Sequence, residues 1–403
     1  MSIPTRRAVR PTHLAPFGIH TRIMLGSYLT HILMVTAALM TIALTIDLWP
    51  QVALLQERGG FLPFEIARLT ALRLPDLLPP LFPFAAFLGV VWSESAFTES
   101  RERMLIWNSG RSPLLCLMPA LLVGLLLGGT LFVLDGVLRP AAIHVQIDAK
   151  LGREGIRLDR AQSGGSHWIA LPDGLLRAEI EYGPPLKLHN ATIYKLDSEG
   201  HLYEVDTAVL AQPLPHDRWR LTQGRYWRAV YEGEGSVISN QPEGQETETP
   251  FDTRTISMSL NEMWLRNLGL SPQYLSLGDL HQLSRAQIVS RDLSGYRTRI
   301  QATFGEILFT IGMTLLGAAL AMLAFPYAVR WQRLVAVLMA GYAAHFASKA
   351  LYLMGEFGYI NPIMAGWLPA VLVLAGVGVV LLVIQQKRGM GVGLKDTPEL
   401  ADA

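Results

Sequence analysis

The stretch PLLCLMPALLVGLLLGGTLFVL, residues 113–134, carries no charged side chain, and Asp135, Arg139 and a long polar segment follow it directly. As a helix rising about 1.5 Å per residue, it is long enough to cross a hydrocarbon core of roughly 30 Å. Toward the N-terminus, Ile23 to Ile46 has His31 as its one titrating side chain apart from Tyr28. Toward the C-terminus, Ile307 to Val329 and Pro362 to Ile384 hold no Asp, Glu, Lys or Arg, and Leu334 to Gly355 is interrupted by His345 and Lys349. A shorter run, Leu77 to Ser93, carries Pro79, Pro80 and Pro83 and is expected to extend outward past Asp76 and Arg73 as a kinked or broken helix. Prolines are tolerated at this depth when neighbouring helices satisfy the freed carbonyls. The expectation is therefore six transmembrane α-helices, three before and three after an inserted polar segment.

Composition agrees with a bilayer protein. Of the 403 residues, 50% are hydrophobic and 17% charged, against about a quarter charged in soluble domains. The first apolar run exceeds the roughly 7–15-residue core of a signal peptide, so it reads as a retained span. Basic residues set the orientation. Arg6, Arg7, Arg10, Arg22, Arg101, Arg103, Arg111, Arg330, Arg333, Lys387 and Arg388 flank the ends expected to be cytoplasmic. The short outer loops hold Arg58, Arg68 and Arg73. Both termini are expected inside and the large segment outside.

That outer segment alternates with period two. His167 to Leu171 is bounded by Pro172-Asp173-Gly174, and Ala191 to Leu196 leads through Asp197-Ser198-Glu199-Gly200 into Leu202 to Val205, a hairpin signature. A second hairpin is expected from Trp219 to Thr222, turning at Gln223-Gly224 into Arg225 to Arg228. Repeated short strands imply a β-sandwich or jelly roll. Gly233 to Thr249 reads as a mobile loop, and Leu277 to Arg299 returns to helical spacing. The expected division is a disordered tail 1–20, spans one to three within 21–138 with a cytoplasmic segment 97–112, a β domain 139–270, a helical return 271–302, spans four to six within 303–386, and a tail 387–403.

No soluble chemistry is legible. His167, His189, His201 and His216 lack metal-ligand spacing. No G-x-S-x-G occurs, and no Gly-Lys dipeptide is present to build a nucleotide-binding loop. A net charge of +1 does not suggest nucleic-acid binding. The one cysteine, Cys116, lies in the third span, so the outer domain must fold without disulfides.

Several local sequences carry a resemblance. Leu74-Pro75-Asp76-Leu77-Leu78-Pro79-Pro80-Leu81-Phe82-Pro83, Glu102-Arg103-Met104-Leu105-Ile106-Trp107-Asn108-Ser109-Gly110 and Arg139-Pro140-Ala141-Ala142 are three of them. Gly355-Glu356-Phe357-Gly358-Tyr359-Ile360-Asn361-Pro362 with Ala365-Gly366-Trp367-Leu368-Pro369 is the fourth. In order and spacing they resemble the lipopolysaccharide export permeases of the LptF/LptG family over residues 20–385, and Ile46-Asp47-Leu48-Trp49 leans toward the G-type member. Thr303-Phe304-Gly305-Glu306 departs from the family's entry to the fourth span. The resemblance implies an inner-membrane permease that pairs with a homologous permease as a pseudosymmetric heterodimer, driven by a cytoplasmic ATPase dimer. Lipopolysaccharide would pass from the membrane to a periplasmic bridge of β-jellyroll type. It implies no cofactor on this chain, with ATP and Mg on the partner ATPase. A scaffold that docks periplasmic proteins without transport is the alternative. A secondary transporter fits less well, because no inverted repeat is visible.

Two candidate sites follow. The segment Glu99 to Ser112 would be the ATPase coupling element, with Glu102, Met104, Leu105 and Trp107 as contacts; an ordinary positive-inside loop is the plain alternative. Lys349 and His345, one turn apart, project to one face. Lys349 would meet lipid A phosphates, or simply snorkel to the interface. His31, Arg73 and Arg299 are the further cavity candidates, with Arg68 and Arg297 near the same interface.

Overall fold

In a computed structural model of the chain, the residues described are 18–56, 62–103, 112–153, 155–156, 165–181, 185–215, 218–229, 248–258, 260, 262–267, 270–285 and 293–393. Residues 1–17 of the expected tail 1–20, most of the expected loop 233–249, and Met104, Leu105 and Trp107 lie outside them, while Ile19 and His20 already belong to the first helix.

Six helices are long and apolar enough to cross a membrane: Thr21–Val52, Pro63–Glu99, Met118–Asp148, Ser294–Ala324, Trp331–Glu356 and Pro362–Lys387. We refer to them as the first to sixth spans. The fourth is the axis of the bundle, buried along most of its length, whereas the first and fifth are largely exposed. Its glycines explain that position, since small residues let backbones approach. A β-carbon at Gly305 would lie 2.0 Å from the Gly366 carbonyl oxygen of the sixth span, and one at Gly124 of the third would lie 2.5 Å from Thr314 Oγ1. The first and second spans touch as closely, at Gly89 and Ile32.

The second span runs as one unbroken helix, Leu62–Glu99, with Pro75, Pro79, Pro80 and Pro83 inside it. Proline removes the N–H that would serve the carbonyl four residues back. For Pro80 that carbonyl is Asp76 O, and Arg139 Nη2 donates to it at 2.9 Å. The third span passes through a π-helical turn, Leu134–Leu138, before continuing as Arg139–Asp148. The helix therefore runs past the boundary expected at residue 139. The sixth likewise continues to Gly393, into the expected tail.

Between the two triplets of spans lies one antiparallel sheet of six strands in sequence order: β1 (Ser166–Leu171), β2 (Gly174–Glu181), β3 (Lys187–Leu196), β4 (Leu202–Leu214), β5 (Arg218–Arg228) and β6 (Thr249–Ser257). The tight β1–β2 turn needs Gly174, where a β-carbon would lie 1.8 Å from the Tyr194 carbonyl oxygen. The expected sandwich or jelly roll resolves, among the described residues, into this single meander. Its buried face shares one apolar cluster with helical residues: Ile143, Tyr274, Leu280, Leu283 and Tyr296 join Leu176, Ile193, Trp219 and Leu221. Helix thus supplies cover that a second sheet would otherwise give.

The expected hairpin at Gln223-Gly224 is not a turn, because both residues lie inside β5. Gln223 has φ 52° and Asn190 has φ 51°. The ladders pair His189 with Leu210 and Ala191 with Ala208, then Leu210 with Thr222 and Ala208 with Gly224. Asn190, Val209 and Gln223 therefore stand in one unpaired row. On β3 the inward set switches across this row from Leu188 to Ala191 and Ile193, and on β4 from Asp206 and Ala208 to Ala211. The sheet is creased there, as locally irregular pairing bends a strand and increases its twist.

Candidate functional site

Charged side chains join the spans at the end nearest the sheet. Asp47 of the first span accepts from Arg73 of the second at 2.7 Å through both Nε and Nη2, and Arg73 Nη1 also donates to Asp76 at 2.9 Å. Asp76 in turn accepts from Arg139 Nε at 2.9 Å, and Arg139 Nη1 donates to Asp135 at 2.7 Å. Arg299 of the fourth span completes the chain, donating to Asp135 at 2.5 Å. Tyr274 adds a phenol on Asp76 at 3.3 Å. Three aspartates alternate with three arginines, so the chain is charge-balanced. Asp135, Arg299 and Arg139 are buried, as is Arg73. Pairing of this kind is what makes ions tolerable in hydrocarbon. The π turn that carries Asp135 re-aims the end of the third span, as such turns do at functional positions.

The cavity residues expected from sequence fall into two groups here. Arg73 and Arg299 are committed to carboxylates and enclosed. Lys349 reaches Glu306 of the fourth span at 3.2 Å, with a third of its side chain exposed. His345 stacks on Phe84 of the second span at 5.5 Å, and its buried Nδ1 has no hydrogen-bond partner. His31 is half-buried, with Nδ1 at 2.8 Å from the Ser27 carbonyl and its ring 5.2 Å from Trp92. Arg68 and Arg297 are exposed. Lys349 and Glu306 are thus brought together, while His31 stands apart from both.

A second cluster lies at the opposite end of the bundle. The second span ends at Glu99, and Arg101, with φ 63°, reverses the chain after Arg101 N–H bonds back to Thr98 O at 3.2 Å. The reversal separates two neighbours: Glu102 is exposed, whereas Arg103 is buried and paired with Glu94 of the second span. The Tyr28 hydroxyl of the first span donates to the same carboxylate. One residue earlier on each helix, Ser27 and Ser93 hydroxyls meet at 2.6 Å. Beside this cluster, a cleft of about 410 Å³ opens between the first, second and fifth spans, lined by Val35, Leu88, Trp92, Glu99, Leu334 and Leu338 among others.

The sheet carries its own charged group. Glu204 and Asp206 are buried on β4, with Lys195 at 2.7 and 3.3 Å and Arg254 at 2.9 Å from each. Burial pushes the Glu204 carboxyl up, but Lys195, Arg254 and Arg228 outweigh it and hold it below the usual glutamate range. Burial prevails at Asp206, which is pushed above the usual aspartate range. Among the described residues no group of three His, Cys, Asp or Glu side chains is placed to hold a metal ion.

Sequence reading missed Glu94, Asp135 and Glu306 as partners, and took Arg73 and Arg299 without their carboxylates. A signal was present in part: Asp76 and Arg139 sit in two of the family-like motifs, and Asp135 and Arg139 are one helical turn apart. What brings the motifs together is tertiary. The Trp367 indole donates to Gln301 at 2.9 Å, so the Trp-Leu-Pro motif also packs on the fourth span.

A family model described as lipopolysaccharide export system permease LptF/LptG matches residues 22–383. No curated protein matches the chain.

Proposed function

This chain belongs to the LptF/LptG family of lipopolysaccharide export permeases, and from that premise we propose that it is one permease subunit of an ATP-driven transporter that extracts lipopolysaccharide from the inner membrane. The observation that carries the reading is the architecture itself: two triplets of spans with an inserted β-sheet domain, across the whole of the family match. The first and fifth spans are the least covered by the rest of the chain and present large apolar side chains outward, Ile42, Ile46 and Trp49 on one and Met339, Tyr342 and Phe346 on the other. In this reading a second, homologous permease covers part of these apolar faces and lipid the rest.

In this reading both termini are cytoplasmic, by the distribution of basic residues, and the sheet domain is periplasmic. The domain would hand its cargo to a periplasmic bridge protein. ATP and Mg belong to a cytoplasmic ATPase dimer. Glu102, exposed just past the end of the second span, is the described residue that would meet this dimer, with Met104, Leu105 and Trp107 following it. Lys349 is the cation that lipid A phosphates would reach, since it shares a single carboxylate and is partly exposed. His345 would line the same cavity, whereas His31, beside Ser27 and Trp92, stands apart from it. Arg73 and Arg299 would act as the frame of the cavity through their aspartates. The G-type assignment rests on Ile46 to Trp49 alone.

Isolation from native membranes in mild detergent tests the reading. Expected are co-purification with a second permease and an ATPase, and ATP hydrolysis at least fivefold slower with Glu102→Ala. A chain that isolates alone, with no nucleotide-hydrolysing subunit found by mass spectrometry, overturns it.

A further inference from the structure

We infer that Arg103, Glu94 and Tyr28 form the internal seat through which movement at Glu102 is delivered to the first and second spans as one body. The inference rests on the permease reading and adds Arg103, which is not among the contacts named for the coupling segment, with Glu94 and Tyr28, which lie outside it. The left-handed backbone of Arg101 turns the chain back on the helix it has just left, so the next two side chains face opposite ways. Glu102 is exposed, and Arg103 is 2% exposed. An arginine enclosed to that degree must have its charge met, and Glu94, 1% exposed, meets it. Tyr28 then ties the carboxylate to the first span.

Rigidity makes the seat a mechanical element and not only a stabilising one. Around Glu94 the two spans are in direct contact at three points: Ser27 with Ser93, Tyr28 with Glu94, and Ile32 against Gly89, where a β-carbon would lie 2.5 Å from the Ile32 backbone. A displacement of Arg103 cannot move one of these helices alone. The fifth span lies across the cleft lined by Val35, Leu88 and Trp92 on one side and Leu334 and Leu338 on the other. Moving the first and second spans together therefore changes the width of that cleft. Glu102 receives, and the three buried residues position.

The test uses the full complex of this chain, its paired permease and the ATPase in lipopolysaccharide-containing nanodiscs. Spin labels at Ile23→Cys and Trp331→Cys, in a Cys116→Ser background, report the distance between the first and fifth spans. In the wild type, ATP is expected to shift this distance. Tyr28→Phe is expected to leave hydrolysis within about twofold while abolishing the shift and lowering lipid released per ATP at least fivefold. Glu94→Gln with Arg103→Gln removes both charges and avoids the unpaired ion of either single change; it is expected to assemble and to be uncoupled in the same way. If both variants keep the ATP-dependent shift and the wild-type release per ATP, the seat has no such role. A wild-type complex with neither hydrolysis nor a shift overturns the permease reading itself, and this inference with it.

Discussion

Arg139 holds Asp76 at two places at once, donating from Nε to its carboxylate and from Nη2 to its main-chain carbonyl, each at 2.9 Å. The carbonyl is free because Pro80 cannot donate to it, so an intramembrane proline and a buried arginine on another span explain each other. Arg139→Met leaves Asp76 and Asp135 short of a cation and a carbonyl short of a donor. The expected cost is about 3–5 kcal/mol, read as a lower unfolding temperature in detergent. Arg139→Lys is expected to recover only part of it, since an ammonium lacks the planar fork that reaches three oxygens.

The fourth and sixth spans meet backbone to backbone at Gly305 and Gly366. Gly305→Ala places a methyl where the Gly366 carbonyl already stands. The spans must part, at about 1–3 kcal/mol for the overpacking. Gly129→Ala, where the added carbon meets nothing within 4 Å, is the matched control and is expected to leave the unfolding temperature within experimental error.

Gln223 sustains the crease with a left-handed backbone at φ 52°. Glycine adopts that conformation freely, so Gln223→Gly is expected to raise stability by up to about 1 kcal/mol. Gln223→Ile is expected to lower it by a similar amount or more, because a β-branched residue is least tolerant of positive φ. Thermal unfolding of the full chain in detergent, monitored on the sheet by hydrogen exchange, decides the sign.

Glu204 and Asp206 respond to acid in opposite senses. Glu204 is depressed in the folded state, so its contribution is present above the ordinary glutamate range and is lost as pH falls through the folded value. Asp206 is raised, so its ionised form costs stability, and protonating it on the way down relieves that cost first. Glu204→Gln is therefore expected to destabilise at neutral pH by about 1.5–3 kcal/mol, the worth of hydrogen bonds to a charged group, and to flatten the loss in acid. Asp206→Asn is expected to be better tolerated at neutral pH. Unfolding temperatures of the three proteins from neutral pH to below the glutamate range provide the comparison; equal losses for both variants at neutral pH contradict it.

The spans were legible because an uncharged run long enough to cross a bilayer seldom occurs in a soluble domain, and the strands because a half-buried sheet alternates. Gln223-Gly224 misled for a physical reason: a single left-handed residue inverts the alternation, and a break in alternation before glycine reads as a turn. The ion pairs were hidden for a different reason. Asp47, Asp76 and Asp135 lie near expected helix ends, where charge is ordinary, and only packing reveals that each faces an arginine on a neighbouring span or turn. Lys349 stood out because it interrupts an apolar run, while its partner Glu306 passed as an irregular helix start. The split of Glu102 from Arg103 depends on the backbone at Arg101, for which sequence offers no sign.

The row of Asn190, Val209 and Gln223 has a consequence for how the sheet keeps its alignment. In a regular sheet a strand can slide by two residues and return every side chain to its proper face. Here a slide would carry the kink of one strand past that of its neighbour, leaving the inversion out of step between them. Apolar and polar faces would then disagree along one side of the mismatch. The crease thus works as a registration mark, fixing β3 to β5 against each other at mid-strand, a task that sheets more often leave to their turns.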